Sequence, residues 1–124
     1  MAKPVILVID DDIPILTLMR NVLREFGFEA RVASSGRAAI TTTTAAEKSP
    51  DLILLDKNIP GSSVSETIQS LRGDGGLSAP IVILSGEPIE ADELRTLGAA
   101  GAVMKPFDVM DLVERIRGYV GVAR

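Results

Sequence analysis

The stretch that most constrains this chain is Asp51-Leu-Ile-Leu-Leu-Asp56-Lys-Asn-Ile-Pro60-Gly61, where four uninterrupted aliphatic residues run into a carboxylate and then a turn. An aliphatic run bounded by Pro50-Asp51 and by Pro60-Gly61 reads as a strand buried on both faces, the kind found inside a parallel sheet. Asp56 then stands at the carboxyl end of a central strand. In open α/β sheets ligands bind outside that edge, which makes Asp56 a candidate functional group. Its other reading is a cap for the following turn, because Asp commonly accepts nearby backbone N–H groups there.

The rest of the chain repeats the theme. Val5 to Ile9 is a second aliphatic run, ending in Asp10-Asp11-Asp12. Asp12 is placed to cap a helix with Pro14 in its first turn, with an apolar stripe of Ile15, Leu18, Met19, Val22, Leu23 and Phe26 and a stop at Gly27. Phe28 to Ala33 reads as a strand. Arg37 to Lys48 reads as a loosely held helix, because the run Thr41 to Thr44 lowers its propensity. After the central strand come a helix over 65–72, a flexible loop at Gly73-Asp-Gly-Gly76, a strand over 81–84 and a helix over 90–97 closed by Gly98. The glycine cluster precedes a strand, whereas a phosphate-binding loop follows one and opens a helix, so a nucleotide cradle is rejected. A last strand over 102–104 leads to Lys105-Pro106 and to a closing helix capped by Asp108, with Val109, Leu112, Val113, Ile116 and Val120 on one face.

Five strands alternating with five helices predict an α/β fold, a doubly wound parallel sheet covered on both faces, as one domain over 1–124. The 124 residues suffice for a core without staples. Three Phe and one Tyr leave that core to Ile, Leu, Val and Ala. Histidine and cysteine are both absent, which removes the usual zinc ligands, Ser-His-Asp and Cys-His catalysis, disulfides and any phosphohistidine on this chain. A net charge of −4 is the reverse of a nucleic-acid-binding balance. No apolar run reaches the length that spans a bilayer, and no signal-peptide layout opens the chain, so a cytoplasmic location is expected.

At the carboxyl ends of the strands stand Asp10, Asp11 and Asp12, then Asp56, Ser85 and Lys105. Carboxylates crowded on one edge repel unless a cation sits among them. In a chain without His or Cys that cation is a hard, oxygen-bound one, for which Mg²⁺ is the expectation. Magnesium leaves room for phosphate oxygens, Lys105 offers a fixed positive charge and Ser85 a hydroxyl donor. Together these are the parts of a phosphoryl-transfer site.

The residues Ile-Asp10-Asp11, Leu-Leu-Asp56-Lys-Asn-Ile-Pro-Gly, Leu-Ser85-Gly86 and Gly101-Ala-Val-Met-Lys105-Pro106-Phe107 resemble the receiver domain of two-component response regulators, and the likeness runs from Val5 to about Val120. The resemblance implies a flavodoxin-like (βα)5 sandwich of strand order 2-1-3-4-5. It implies Mg²⁺-dependent transfer from the phosphohistidine of a sensor histidine kinase or phosphotransfer protein to Asp56. Asp11 matches the direct metal ligand, Asp10 the acid acting through a metal-bound water, and Asn58 the position whose backbone carbonyl completes the set with Asp56. Ser85 and Lys105 match the groups that hold the phosphoryl oxygens. Asn58 and Glu87 match the positions flanking the hydrolytic water, which set the lifetime of the acyl phosphate. The resemblance also implies a cis Lys105-Pro106 peptide and an output face formed by the fourth helix, fifth strand and fifth helix. It further implies a domain that catalyses only its own phosphorylation and dephosphorylation.

One position departs from that pattern: Ala102 stands where many receivers carry an aromatic that swings inward on activation. The expected alternative is a signal carried by the loop 85–90 or by movement of the fourth helix. Two other functions stay open at this level. One is a phosphorylation-independent interaction domain of the same fold. The other is a phosphatase resembling the haloacid dehalogenase group, suggested by Asp10-x-Asp12 but opposed by Pro14 two residues beyond Asp12. Asp12 itself is better used as a helix cap than as a metal ligand. The closeness of Met1 to the first strand predicts that nothing precedes the domain, and the end at Arg124 fits either a stand-alone receiver or the first part of a longer regulator.

Overall fold

The structure, a computed structural model, describes residues 3–46 and 48–121. The elements run β1 (Val5–Ile9), α1 (Ile13–Glu25), β2 (Glu29–Ala33), α2 (Gly36–Ala45), β3 (Leu52–Asp56), α3 (Val64–Arg72), β4 (Ile81–Ser85), α4 (Ala91–Leu97), β5 (Gly101–Met104) and α5 (Val109–Val120). All strand pairs are parallel and the order is β2-β1-β3-β4-β5, as the sequence reading expected. The central strands β1, β3 and β4 are buried along their whole length, which is why they read as continuous aliphatic runs rather than alternating ones.

Alternate strand residues feed two cores. Ile6, Val8, Leu54, Val82 and Leu84 meet α1 and α5 on one face, through Leu16, Met19 and Leu23 and through Leu112, Val113 and Ile116. Leu7, Ile9, Ile53, Leu55 and Ile83 meet Ala39 of α2 and Ile68 and Leu71 of α3 on the other. The register levels the strand ends: Ile9 lies beside Leu55, Asp56 beside Leu84 and Ser85 beside Met104. Every group that follows these strands therefore emerges at one edge of the sheet.

The caps explain where the helices begin. Asp12 accepts the Ile15 N–H, and Asp108 accepts those of Met110 and Asp111. Ser63 and Glu66 form a reciprocal capping box at the start of α3. The Thr run is accommodated because Thr41 and Thr44 donate to the carbonyls of Arg37 and Ile40 one turn back. Arg72 donates from Nη1 to the carbonyls of Leu77 and Ala79, which pins the glycine-rich loop that enters β4.

Two expectations are corrected. Leu18, counted in the buried stripe of α1, is exposed, and Leu16 lies in the core instead. α2 ends at Ala45 rather than Lys48, where Ala46 is already extended; Glu47 lies outside the described residues. The Lys105-Pro106 peptide is cis, as the resemblance implied.

Candidate functional site

Because β1 and β3 are neighbours in register, Asp10 and Asp56 leave adjacent strands side by side. Both are buried, at 1% and 7% exposure, in positions where an unpaired charge would be costly. Asp10 Oδ1 accepts the backbone N–H of Asp12 at 3.0 Å. Lys105, arriving from the end of β5, places Nζ 3.2 Å from Asp10 Oδ2 and 3.0 Å from Asp56 Oδ1. One ammonium thus bridges the two carboxylates across the sheet edge. Asp11 is exposed, and one carboxylate oxygen each from Asp10, Asp11 and Asp56 lie within 4.8 Å of one another.

The electrostatics follow from this crowding. Burial pushes the Asp10 carboxyl above its ordinary value; the Asp12 N–H opposes the rise, the nearby Asp56 charge adds to it and Lys105 works against it. Burial by itself would lower the Lys105 ammonium, but hydrogen bonding to Asp56 and the charges of Asp10 and Asp56 outweigh that effect and hold it above its ordinary value. Three carboxylates facing one ammonium leave the cluster short of positive charge. An all-oxygen donor set gathered within 4.8 Å matches the chemistry of a hard cation such as Mg²⁺.

Ser85 comes to the same edge but is turned to its own loop. Its Oγ donates to the Glu87 carbonyl at 2.7 Å and accepts the Glu87 N–H at 3.1 Å. Asn58 and Glu87 are exposed at the rim. Asp12 faces its helix, where Oδ1 accepts the Ile15 N–H at 3.2 Å, in keeping with a cap. Ala102 is half-buried on the α4 side of β5, and its carbonyl accepts Arg115 Nη2 at 2.9 Å.

Two features escaped the sequence reading. An apolar groove of about 460 Å³ opens beside the acids, lined by Ile15, Leu18, Met19 and Val22 of α1 and by Pro106, Phe107 and Val109, with Asp12 and Lys105 at its polar end. The exposed Leu18 belongs to its wall, which is why the helical stripe was wider than the core required. Lys57, directly after Asp56, pairs with Glu93 of α4 at 3.7 Å. No local signal marks that pair, because its members are 36 positions apart by subtraction of their numbers.

The sequence model of the response regulator receiver domain matches residues 6–117. The DNA-binding response regulator MtrA of Mycobacterium tuberculosis (strain ATCC 25618 / H37Rv) is 39% identical over 114 residues, covering 90% of this chain and 48% of MtrA. This chain therefore spans about half the length of that relative. Among solved structures, Vibrio cholerae chemotaxis protein CheY4 superposes with a TM-score of 0.85 at 27% identity, over 95% of this chain and 99% of CheY4. The receiver domain of sensor histidine kinase PA1611 from Pseudomonas aeruginosa PAO1, described with a magnesium ion coordinated in its active site cleft, superposes with a TM-score of 0.78 at 22% identity. That match covers 98% of this chain and 100% of the PA1611 domain.

Proposed function

The chain belongs to the response regulator receiver domain family, and on that premise we propose that residues 1–124 form one phosphorylation-activated switch with Asp56 as its phosphoacceptor. The observation that carries the assignment is the Lys105 bridge: a single ammonium 3.0 Å from Asp56 and 3.2 Å from Asp10 defines one pocket at the sheet edge. In the reaction an oxygen of the Asp56 carboxylate forms a bond to phosphorus while the P–N bond to a donor phosphohistidine breaks. The donor imidazole leaves with the electron pair and takes a proton from solvent. A carboxylate nucleophile has no proton to surrender, so the step needs no histidine on this chain.

Asp11, Asp56 and the backbone carbonyl of Asn58 are the proposed direct Mg²⁺ ligands, with Asp10 acting through a metal-bound water, in line with the magnesium ion described for the PA1611 domain. When bound, the ion supplies positive charge to phosphoryl oxygens. Lys105 holds another of those oxygens, and the Ser85 hydroxyl does so after turning from Glu87. Asn58 and Glu87, exposed at the rim, govern water access and hence the rate at which the domain removes its own phosphoryl group.

The proposed donor is a sensor histidine kinase or phosphotransfer protein. Its histidine-bearing helix is expected to lie against the Ile15–Leu18–Phe107 groove, because the polar end of that groove is Lys105, already in contact with Asp56. The output face is proposed as α4, β5 and α5. Direct nucleic-acid contact by this segment is not proposed, because its net charge is −4. A cytoplasmic location is proposed alongside the finding that, among the described residues, no helix is long and apolar enough to cross a membrane.

The test is intact-protein mass spectrometry after incubation with acetyl phosphate, with and without Mg²⁺, beside Asp56→Asn. A Mg²⁺-dependent gain of one phosphoryl group that the variant lacks is the expected result. An adduct of equal size in the variant overturns the assignment of Asp56.

A further inference from the structure

α4 is the most lightly seated helix beside the site. None of its residues from Ala91 to Leu97 is fully buried, and Glu90 makes no side-chain cap bond. Its apolar contact comes from the partly buried Ile89, Leu94 and Leu97. By contrast α1, α3 and α5 each bury three residues. Packing of an apolar face supplies most of the stability of a helix in a protein, so a short helix without a buried side chain is poorly held against displacement.

Two polar attachments join this helix to the strand ends that carry the acceptor. In the first, the Ser85 hydroxyl is bonded to both the N–H and the carbonyl of Glu87, in the loop that feeds α4. In the second, Lys57 Nζ lies 3.7 Å from Glu93 Oε2. Lys57 is the residue after Asp56, and its own N–H donates to the Leu84 carbonyl at 2.9 Å, which ties it to the β3–β4 pair. Asp56 continues the face of Leu52 and Leu54, toward α1 and α5; Lys57 meets α4 on the opposite side of the sheet. An exposed ion pair of this kind is weak, yet it counts where little packing competes with it.

We propose that Lys57 and Glu93 form a latch that holds α4 in its resting position, and that a phosphoryl group on Asp56 draws Lys57 away from Glu93 and frees the helix. The release step rests on the reading of Asp56 as phosphoacceptor. Phosphorylation adds negative charge one residue from Lys57 and offers the Ser85 hydroxyl a new acceptor, so both attachments weaken together. Ala102 is consistent with this route: a methyl group has no rotamer to report the event, and α4 itself becomes the reporter. Because linkage is reciprocal, loss of the latch shifts the phosphorylation equilibrium toward the phosphorylated form.

Hydrogen exchange read by mass spectrometry on the unphosphorylated chain tests the latch, using Lys57→Gln, Glu93→Gln and the double variant. Lys57→Gln is expected to speed exchange across 86–97 by about two- to fivefold, the range of an exposed ion pair, with exchange in β1 and β3 unchanged. It is expected to add nothing further in the Glu93→Gln background. Unchanged exchange across 86–97, or an equal effect of Lys57→Gln in both backgrounds, overturns the latch. In a second arm, acetyl phosphate and Mg²⁺ are added to the parent chain, and exchange across 86–97 is expected to rise at least to the level of unphosphorylated Lys57→Gln, which keeps the Ser85 bonds. A phosphorylated chain whose 86–97 exchange stays at the resting level overturns the release step. Absence of any adduct overturns the acceptor reading and the release step with it, while the exchange of the unphosphorylated variants decides the resting latch independently.

Discussion

The Ser85 hydroxyl donates to the carbonyl of Glu87 at 2.7 Å and so faces its own loop rather than Asp56. Ser85→Ala removes this bond and the reverse one from the Glu87 N–H. Both bonds are only part-buried, and the variant is expected to lose about 0.5–1.5 kcal/mol in urea denaturation. With acetyl phosphate it still gains one phosphoryl group, but the change in hydrogen exchange across 86–97 that follows phosphorylation of the parent is reduced. An undiminished exchange response in Ser85→Ala would remove Ser85 from the switch.

Asp11 is exposed and takes no part in the Lys105 bridge. Asp11→Asn removes one of three mutually repelling carboxylates and is therefore expected to be at least as stable as the parent in the presence of a chelator. In the parent, Mg²⁺ at a hundred times its dissociation constant should add about 2.7 kcal/mol of stability. The variant should show little of that gain at the same concentration. Equal Mg²⁺ stabilisation of both proteins would place the ion elsewhere.

Gly36 opens α2 against Thr67 of α3. A methyl group added at Gly36 would sit 2.9 Å from Thr67 Cγ2. Gly36→Ala is expected to cost about 1–3 kcal/mol through overpacking, although Ala is the better helix former. Thr67→Ser removes the obstructing methyl and keeps the hydroxyl that donates to the Ser63 carbonyl, so the double variant should recover part of the loss. Denaturant midpoints of the four proteins measure this coupling, and strict additivity would refute the close contact.

Glu66 accepts the Ser63 N–H at 2.9 Å, and this backbone bond holds its carboxyl below the ordinary value of 4.5. A carboxylate with a depressed folded pKa contributes stability above its unfolded pKa and loses it as the pH falls through the folded value. The melting temperature of Glu66→Gln should therefore lie below that of the parent at neutral pH, with the gap closing as the pH drops below 4.5. A gap that persists or widens under acid would show that the capping charge is not its source.

The elements, and the edge at which the chemistry gathers, were legible in the order of the residues. Strands buried on both faces must be aliphatic throughout, so the runs ending at Ile9, Leu55 and Leu84 declare themselves. The groups following such runs share one edge because crossover connections keep the strands parallel. Asp10, Asp11, Asp56, Ser85 and Lys105 were legible on that ground. The capping box at Ser63-Val-Ser-Glu66 was also readable from its spacing and was missed. Periodicity alone could not separate Leu16, which is buried, from Leu18, which is exposed, because it defines a stripe and not the width of stripe that the sheet will cover. Which way a side chain turns once it reaches the edge is settled by the folded packing around it. Lys105 lies between Asp10 and Asp56, Ser85 bonds to Glu87, and Lys57 reaches Glu93. These choices depend on partners distant in the chain, whose charges and donors act through space over a few ångströms and leave no trace in local spacing.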